Sequence, residues 1–171
     1  MATNIEIKAR VDDFEDLKAR AQSLSDQPLK ILPQEDTFFN TPKGRLKLRI
    51  QTPHQGQLIY YERPDQDGPK RSDYYLAETN NPENLKQTLS LALGVRGVVR
   101  KTRYLYMAGQ TRIHLDDVEG LGYFMELEVV MRTGQNDAEG QAIAEDLMRR
   151  LGVREEALLE GAYMDLIEQT I

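Results

Sequence analysis

The sequence predicts an α+β protein: an antiparallel sheet of about eight strands, closed into a barrel, with helices on its outside. Two observations predict it. Segments of alternating apolar and polar residues recur along the chain, and short turn signals separate most of them, as hairpin-connected antiparallel strands require. Three or four stretches with helical spacing complete the pattern, too few and too scattered for a doubly wound α/β fold.

The elements follow in order. NIEIKARV alternates strictly, with Ile5, Ile7, Ala9 and Val11 on one face and Asn4, Glu6, Lys8 and Arg10 on the other. Asp12 or Asp13 caps a helix whose Phe14, Leu17, Ala21 and Leu24 keep helical spacing. A strand around QEDTFFN follows. The turn TPKG leads to RLKLRIQ, where Arg45, Lys47 and Arg49 oppose Leu46, Leu48 and Ile50. The turn PHQG leads to QLIYYER, and PDQDGP to KRSDYYLAET. Asn81-Pro82 starts a helix carrying Leu85, Leu89 and Leu93, which Gly94 ends. The strands VVRKTRYLYM, TRIHLD and YFMELEVVM come next, joined by tight turns. Asp137 is the expected cap of a helix with Ile143, Leu147 and Leu151, and a last helix carries Leu158, Leu159, Tyr163 and Leu166. No linker or repeat interrupts the 171 residues, so a single domain over 1–171 is expected.

Composition removes several kinds of chemistry. Without cysteine there is no disulfide, thiolate metal site or thiol nucleophile, and the two histidines, His54 and His114, lie far apart. No apolar run approaches a membrane span and no signal-like start is present, so a cytoplasmic protein with no membrane partner is expected. The net charge of −6 hides a division. Lys43 to Arg112 holds thirteen basic and six acidic residues, a net +7, while the remainder is net −13. Such segregation fits an anion site.

The strand faces sharpen that reading. A solvated face is the ordinary explanation for polar strand positions, but it tolerates mixed signs better than like ones. Here Arg45, Lys47 and Arg49 share one face, and Lys101 and Arg103 repeat the arrangement, joined by Lys70 and Arg71. A bound polyanion would compensate their repulsion. Conversely, Glu126 and Glu128 project to one face of a late strand, and Glu6 does the same on the first strand. Carboxylates converging without thiolates suit hard cations, Mg²⁺ or Mn²⁺. Neither a P-loop nor a dinucleotide glycine motif is present, so any phosphate would be held by strand side chains.

Five segments in chain order give the sequence a resemblance to the CYTH family, the triphosphate tunnel metalloenzymes that include class IV adenylyl cyclases and thiamine triphosphatases. They are NIEIK, RLKLR, YYERPD with PKRSDY, VVRKTRYLY and, most specific, HLDDVEGLGYFMELE at 114–128. The resemblance implies an eight-stranded barrel enclosing a polar tunnel. Lys8, Arg45, Lys47, Arg49, Lys70, Lys101, Arg103 and Arg112 would bind a triphosphate, ATP or tripolyphosphate. Glu6, Glu126 and Glu128 would hold Mg²⁺ or Mn²⁺, with Asp116 either a further ligand or the partner of a basic side chain. Lys8, Glu6 and Arg103 would act in catalysis. One departure stands out: Asn4 occupies the place of the signature's first Glu, and its amide brings no negative charge.

The expected activity is conversion of ATP to cyclic AMP and pyrophosphate, with hydrolysis of an inorganic or organic triphosphate as the alternative. Asn4 also admits a triphosphate binder without turnover. Nucleic acid is not an expected partner, because the chain is net acidic and carboxylates share the basic face. The chain is expected to be a monomer or homodimer. Tyr60, Tyr61, Tyr104 and Tyr106 are read as packing residues first and base-stacking residues second. His114 is read as a hydrogen-bonding residue of a polar strand face.

Overall fold

A computed structural model describes residues 2–62, 68–159 and Tyr163. Eight strands run in chain order: β1 (Ala2–Arg10), β2 (Lys30–Phe39), β3 (Arg45–Thr52), β4 (Gln55–Glu62), β5 (Lys70–Thr79), β6 (Val95–Ala108), β7 (Thr111–Val118) and β8 (Gly122–Val130). They close into an antiparallel barrel in the order β1-β5-β4-β3-β2-β6-β7-β8, with β8 returning to β1. One rim is formed by the starts of β1, β2, β4 and β7 and the ends of the other four strands; the opposite rim has the reverse. Closure leaves no free sheet edge.

The helices are α1 (Phe14–Leu24), α2 (Pro82–Leu93) and α3 (Asp137–Arg150). Asp13 caps α1 by accepting from the Asp16 amide, and Asn81 caps α2 in the same way. The cap of α3 is Asn136, not Asp137, which is the first helical residue. Asn136 and Glu139 form a reciprocal capping box, so the amide one position earlier wins the cap. The expected last helix is revised at Leu158 and Leu159, which are not helical, while Tyr163 is. Glu155–Ala157 is a short 3₁₀ turn and Leu158 bridges to Ala9, while Leu166 lies outside the described residues.

The larger apolar core lies outside the barrel, and a smaller buried cluster of Phe38, Val99, Val118, Phe124 and Tyr163 stands apart from it, three of its residues lining the interior cavity. Ile5, Ile7 and Ala9 of β1, Ile113 and Leu115 of β7 and Met125, Leu127 and Val129 of β8 pack outward against Phe14, Leu17 and Ala21 of α1 and Ala144 and Leu147 of α3. Gly140 permits this closeness: a Cβ there would stand 2.6 Å from Ile5 and 2.5 Å from the Met131 sulfur. Helix α2 lies across β2, β3 and β4, with Leu85 and Leu89 half-buried and Leu93 exposed. Strand alternation then turns the polar residues inward.

Candidate active site

The barrel interior holds a cavity of about 310 Å³ lined almost entirely by inward-facing strand residues. Lys47, Arg49, Lys101 and Arg103 form a cationic wall on β3 and β6, and Lys8, Glu6, Glu126 and Glu128 line β1 and β8. Toward the rim formed by the start of β1 the lining changes. Leu32, Leu76, Leu105 and Tyr74 alternate there with Gln34, Gln51 and Gln57. Near the other rim stands Tyr163, 4% exposed; there Leu158 bridges to Ala9, and Leu159 donates its amide to the Lys8 carbonyl.

Two buried aspartates organise the cations. Asp36 of β2 accepts Arg49 Nε and Nη2 at 2.8 Å each and Lys101 Nζ at 3.0 Å, with Lys47 Nζ at 3.7 Å. Burial alone would raise its carboxyl, but Arg49, Lys101 and Lys47 outweigh this and hold it well below the usual carboxylate range. Asp116 of β7 accepts Arg103 in the same bidentate way, at 2.8 Å twice, and also the Tyr163 hydroxyl at 2.7 Å. Burial again opposes ionisation and the Arg103 guanidinium overcomes it. Burial alone would lower the same guanidinium, but Asp116, with Glu126 and Tyr163 adding to it, holds it well above its usual range. Burial pushes Lys47 down to about 7, with Arg49 and Lys101 adding to it against the pull of Asp36. Lys101 shifts down for the same primary reason.

The carboxylates gather on the neighbouring wall. The register sets Glu6 opposite Glu128 and Lys8 opposite Glu126 across β1 and β8, and His114 opposite Glu126 and Arg112 opposite Glu128 across β7 and β8. Arg112 donates to Glu128 at 2.9 Å, and Lys8 lies 3.7 Å from Glu126. Among the described residues, His114, Glu126 and Glu128 are the group whose ligand atoms all fall within 4.8 Å of one another. His114 Nδ1 and Asn4 Oδ1 are buried with no hydrogen-bond partner. Burial, with Arg103 next, drives the His114 imidazole well below its usual range, so it is neutral. Oxygen donors from Glu6, Glu126, Glu128 and Asn4 around one cavity wall, the Asn4 oxygen itself orphaned and the orphaned His114 Nδ1 beside them, fit a divalent cation.

The sequence-predicted residues divide clearly. Lys8, Lys47, Arg49, Lys101, Arg103 and Arg112 line the cavity with Glu6, Glu126 and Glu128. Lys70 is fully buried opposite Glu6. Arg45 shares the parity of Lys47 but starts its strand and does not line the cavity. Asp116 has both oxygens committed to Arg103 and Tyr163, the second of its two expected roles. Of the tyrosines, Tyr61 lines the cavity; Tyr60 bonds Glu62, Tyr104 packs edge-on against Phe14, and Tyr106 sits in the outer core. Sequence reasoning missed Asp36, Gln34, Tyr74 and Tyr163. Parity with Phe38 could have placed Asp36 inward; for Tyr163 no local signal exists.

A closed barrel with a polar interior, cations on one wall and carboxylates on the next, defines a tunnel built for an anionic chain and its counterion. The chain belongs to the CYTH family: the CYTH domain model matches residues 2–163. Members of this family are in general metal-dependent enzymes that bind triphosphates. The chain is 26% identical over 173 residues to a protein of Methanocaldococcus jannaschii named "putative adenylate cyclase", covering 95% of this chain and 97% of the other. It is 24% identical to the adenylate cyclase CyaB of Aeromonas hydrophila, covering 98% and 90%. Its structure is similar to that of the PH1012 protein from Pyrococcus horikoshii, with a TM-score of 0.80, 32% identity and coverage of 95% and 98%. No helix among the described residues is long and apolar enough to cross a membrane.

Proposed function

We propose that this chain is a metal-dependent enzyme that binds ATP in the tunnel and converts it to cyclic AMP and pyrophosphate. The observation that supports it is the division of one cavity: leucines and glutamines toward one rim, carboxylates with His114 on β1, β7 and β8, and lysines and arginines on β3 and β6 reaching toward Tyr163. An organic group suits the first, and the β- and γ-phosphates suit the last. The α-phosphorus then falls beside the carboxylate wall. Inorganic tripolyphosphate would leave the leucine-lined end without a partner. The naming of two relatives as adenylate cyclases agrees with this reading.

Glu126 and Glu128 would hold the divalent cation, which when bound would supply neutralisation of charge on the phosphate oxygens. Arg49, Lys101 and Arg103 grip the terminal phosphates through strands already fixed by Asp36 and Asp116, so little reorganisation is needed on binding. The ribose 3′-oxygen bonds to the α-phosphorus as the bond to the pyrophosphate oxygen breaks. The leaving electrons go to pyrophosphate, held by those cations. The hydroxyl proton passes to a carboxylate; Glu6 stands outside the His114–Glu126–Glu128 group and takes that role. Lys8 stands opposite Glu126 and lends it positive charge.

The test is incubation of the purified chain with ATP and with tripolyphosphate, each with Mg²⁺ and with Mn²⁺. Cyclic AMP and pyrophosphate from ATP, lost in Glu126→Gln, are expected. Orthophosphate as the main product would reassign the chain to triphosphate hydrolysis. Binding with no product from either compound would make it a triphosphate-binding protein.

A further inference from the structure

The mechanism above gives the buried, ionisable His114 no role. It is 4% exposed, lines the cavity, and faces Glu126 directly across the β7–β8 register. Its ligand atom lies within 4.8 Å of those of both Glu126 and Glu128. Ligands held about 2.1 Å from one ion stand up to about 4.2 Å apart, so small side-chain rotations bring this trio onto a common centre. A structural histidine in a polar wall normally has both nitrogens engaged, yet Nδ1 has no partner here. The surroundings do not supply one: Arg112 is bonded to Glu128, and Arg103 and Asp116 are bonded to each other.

We propose that His114 is a direct nitrogen ligand of the cation held by Glu126 and Glu128, giving a mixed site that takes Mn²⁺ in preference to Mg²⁺. Imidazole is a poor ligand for Mg²⁺; Mn²⁺ also favours oxygen but, as a transition metal, takes a nitrogen in a mixed site more readily than Mg²⁺ does. Asn4 acts in the same direction. An amide there brings one negative charge fewer to the site than a carboxylate would, so the donor set depends less on charge and more on the nitrogen. The inference rests on the metal-dependent reading of the site and adds the identity of a ligand and of the preferred ion.

With only His54 and His114 in the chain, and His54 exposed in the β3–β4 turn, nitrogen signals are assignable without ambiguity. Mn²⁺ and Mg²⁺ are titrated calorimetrically into the full chain, without nucleotide, for wild type, His114→Ala, His114→Gln, His54→Ala and Glu126→Gln. Circular dichroism checks that each variant is folded. Pulsed EPR of the Mn²⁺-loaded wild type, with ¹⁴N- and then ¹⁵N-labelled histidine, reads nitrogen coordination. Expected are histidine-nitrogen coupling in wild type and His54→Ala, its absence in both His114 variants, and Mn²⁺ affinity lowered in them on the order of tenfold or more, no less than loss of an outer-shell partner costs. Mg²⁺ affinity should move far less. Bound Mn²⁺ without nitrogen coupling, or unchanged affinity in His114→Ala, overturns the proposal and leaves a carboxylate-only site standing. Wild type that binds neither ion, alone or with tripolyphosphate, overturns the proposal and the metal-dependent reading together. If the His114 variants do not fold, the labelled wild-type spectrum decides alone.

Discussion

Arg103 and Asp116 face each other across β6 and β7 and share two hydrogen bonds of 2.8 Å, and the oxygen that accepts Nη2 also accepts the Tyr163 hydroxyl at 2.7 Å. All three groups are buried. A buried pair with one partner removed leaves an uncompensated charge, so Asp116→Ala should lose about 3–5 kcal/mol in urea unfolding. Tyr163→Phe keeps the ring and removes one bond to a charged group, which should cost about 1.5–3 kcal/mol. The ionisation of Asp116 and Asp36 also sets the acid limit. Both have folded pKa values below the unfolded value of about 3.8, so their stabilisation is complete above about pH 5. It is lost only as the pH falls from there through the folded values, and a pH series of urea midpoints should show this.

Asp36 restrains three cations at once, Arg49, Lys101 and Lys47. Asp36→Asn should therefore destabilise the free protein, while a bound triphosphate replaces the lost charge. The expected result is a lower Tm than wild type without ligand and a larger Tm rise on adding tripolyphosphate. A uniform drop with an unchanged ligand shift would show that Asp36 serves the fold alone.

Lys47, at about 7, is poised to gain a proton when an anion enters. Calorimetric titration with tripolyphosphate at pH 8 in buffers of differing ionisation enthalpy should reveal uptake of up to one proton, absent in Lys47→Met. Stability should move the other way. The unfolded lysine, near 10.5, holds its proton more tightly than the folded one, so the cost of burying Lys47 grows as the pH falls from about 10.5 to 7 and is constant below. Lys47→Met should thus raise Tm at pH 7, by roughly the 2–4 °C that about 1 kcal/mol is worth in a chain of this size, and weaken triphosphate binding.

Glu126→Gln and Glu128→Gln should each lower metal-dependent turnover on the order of 10²-fold, the scale of losing one electrostatic stabiliser. Asn4→Glu restores a carboxylate where Oδ1 is now buried without a partner. It should tighten Mg²⁺ binding several-fold in calorimetry and leave the fold intact, because Asn4 faces the cavity and not the outer core.

Much of this site was legible because alternation fixes side-chain parity: Lys47 and Arg49, Lys101 and Arg103, and Glu126 and Glu128 were each assigned to one face before any strand was paired. What parity cannot give is register. Whether Asp116 meets a metal or Arg103 depends on which residue of β6 lies opposite, a fact of pairing across a hairpin. Asp36 stayed hidden for a different reason. Its face is shared with Phe38 and followed by Phe39, so QEDTFF reads as a strand without a charged side. Tyr163 reaches Asp116 from 47 residues away, a contact that no local pattern signals. The cap of α3 moved by one residue because Asn and Asp are near-equal caps and the Glu139 side chain favours the earlier one.

The packing that holds this barrel together lies on its outer wall, between β1, β7, β8 and the helices α1 and α3. The inward charged positions are therefore bound by charge balance more than by shape, while Phe38, Val99 and Tyr163 keep a packed apolar patch among them. An aspartate and its arginine can be exchanged as a set, or a glutamine for a hydroxyl, without opening a void in the apolar layer. The same ring of strands is in this sense a reusable vessel: new cargo can be specified by rewriting the interior while the exterior keeps it standing.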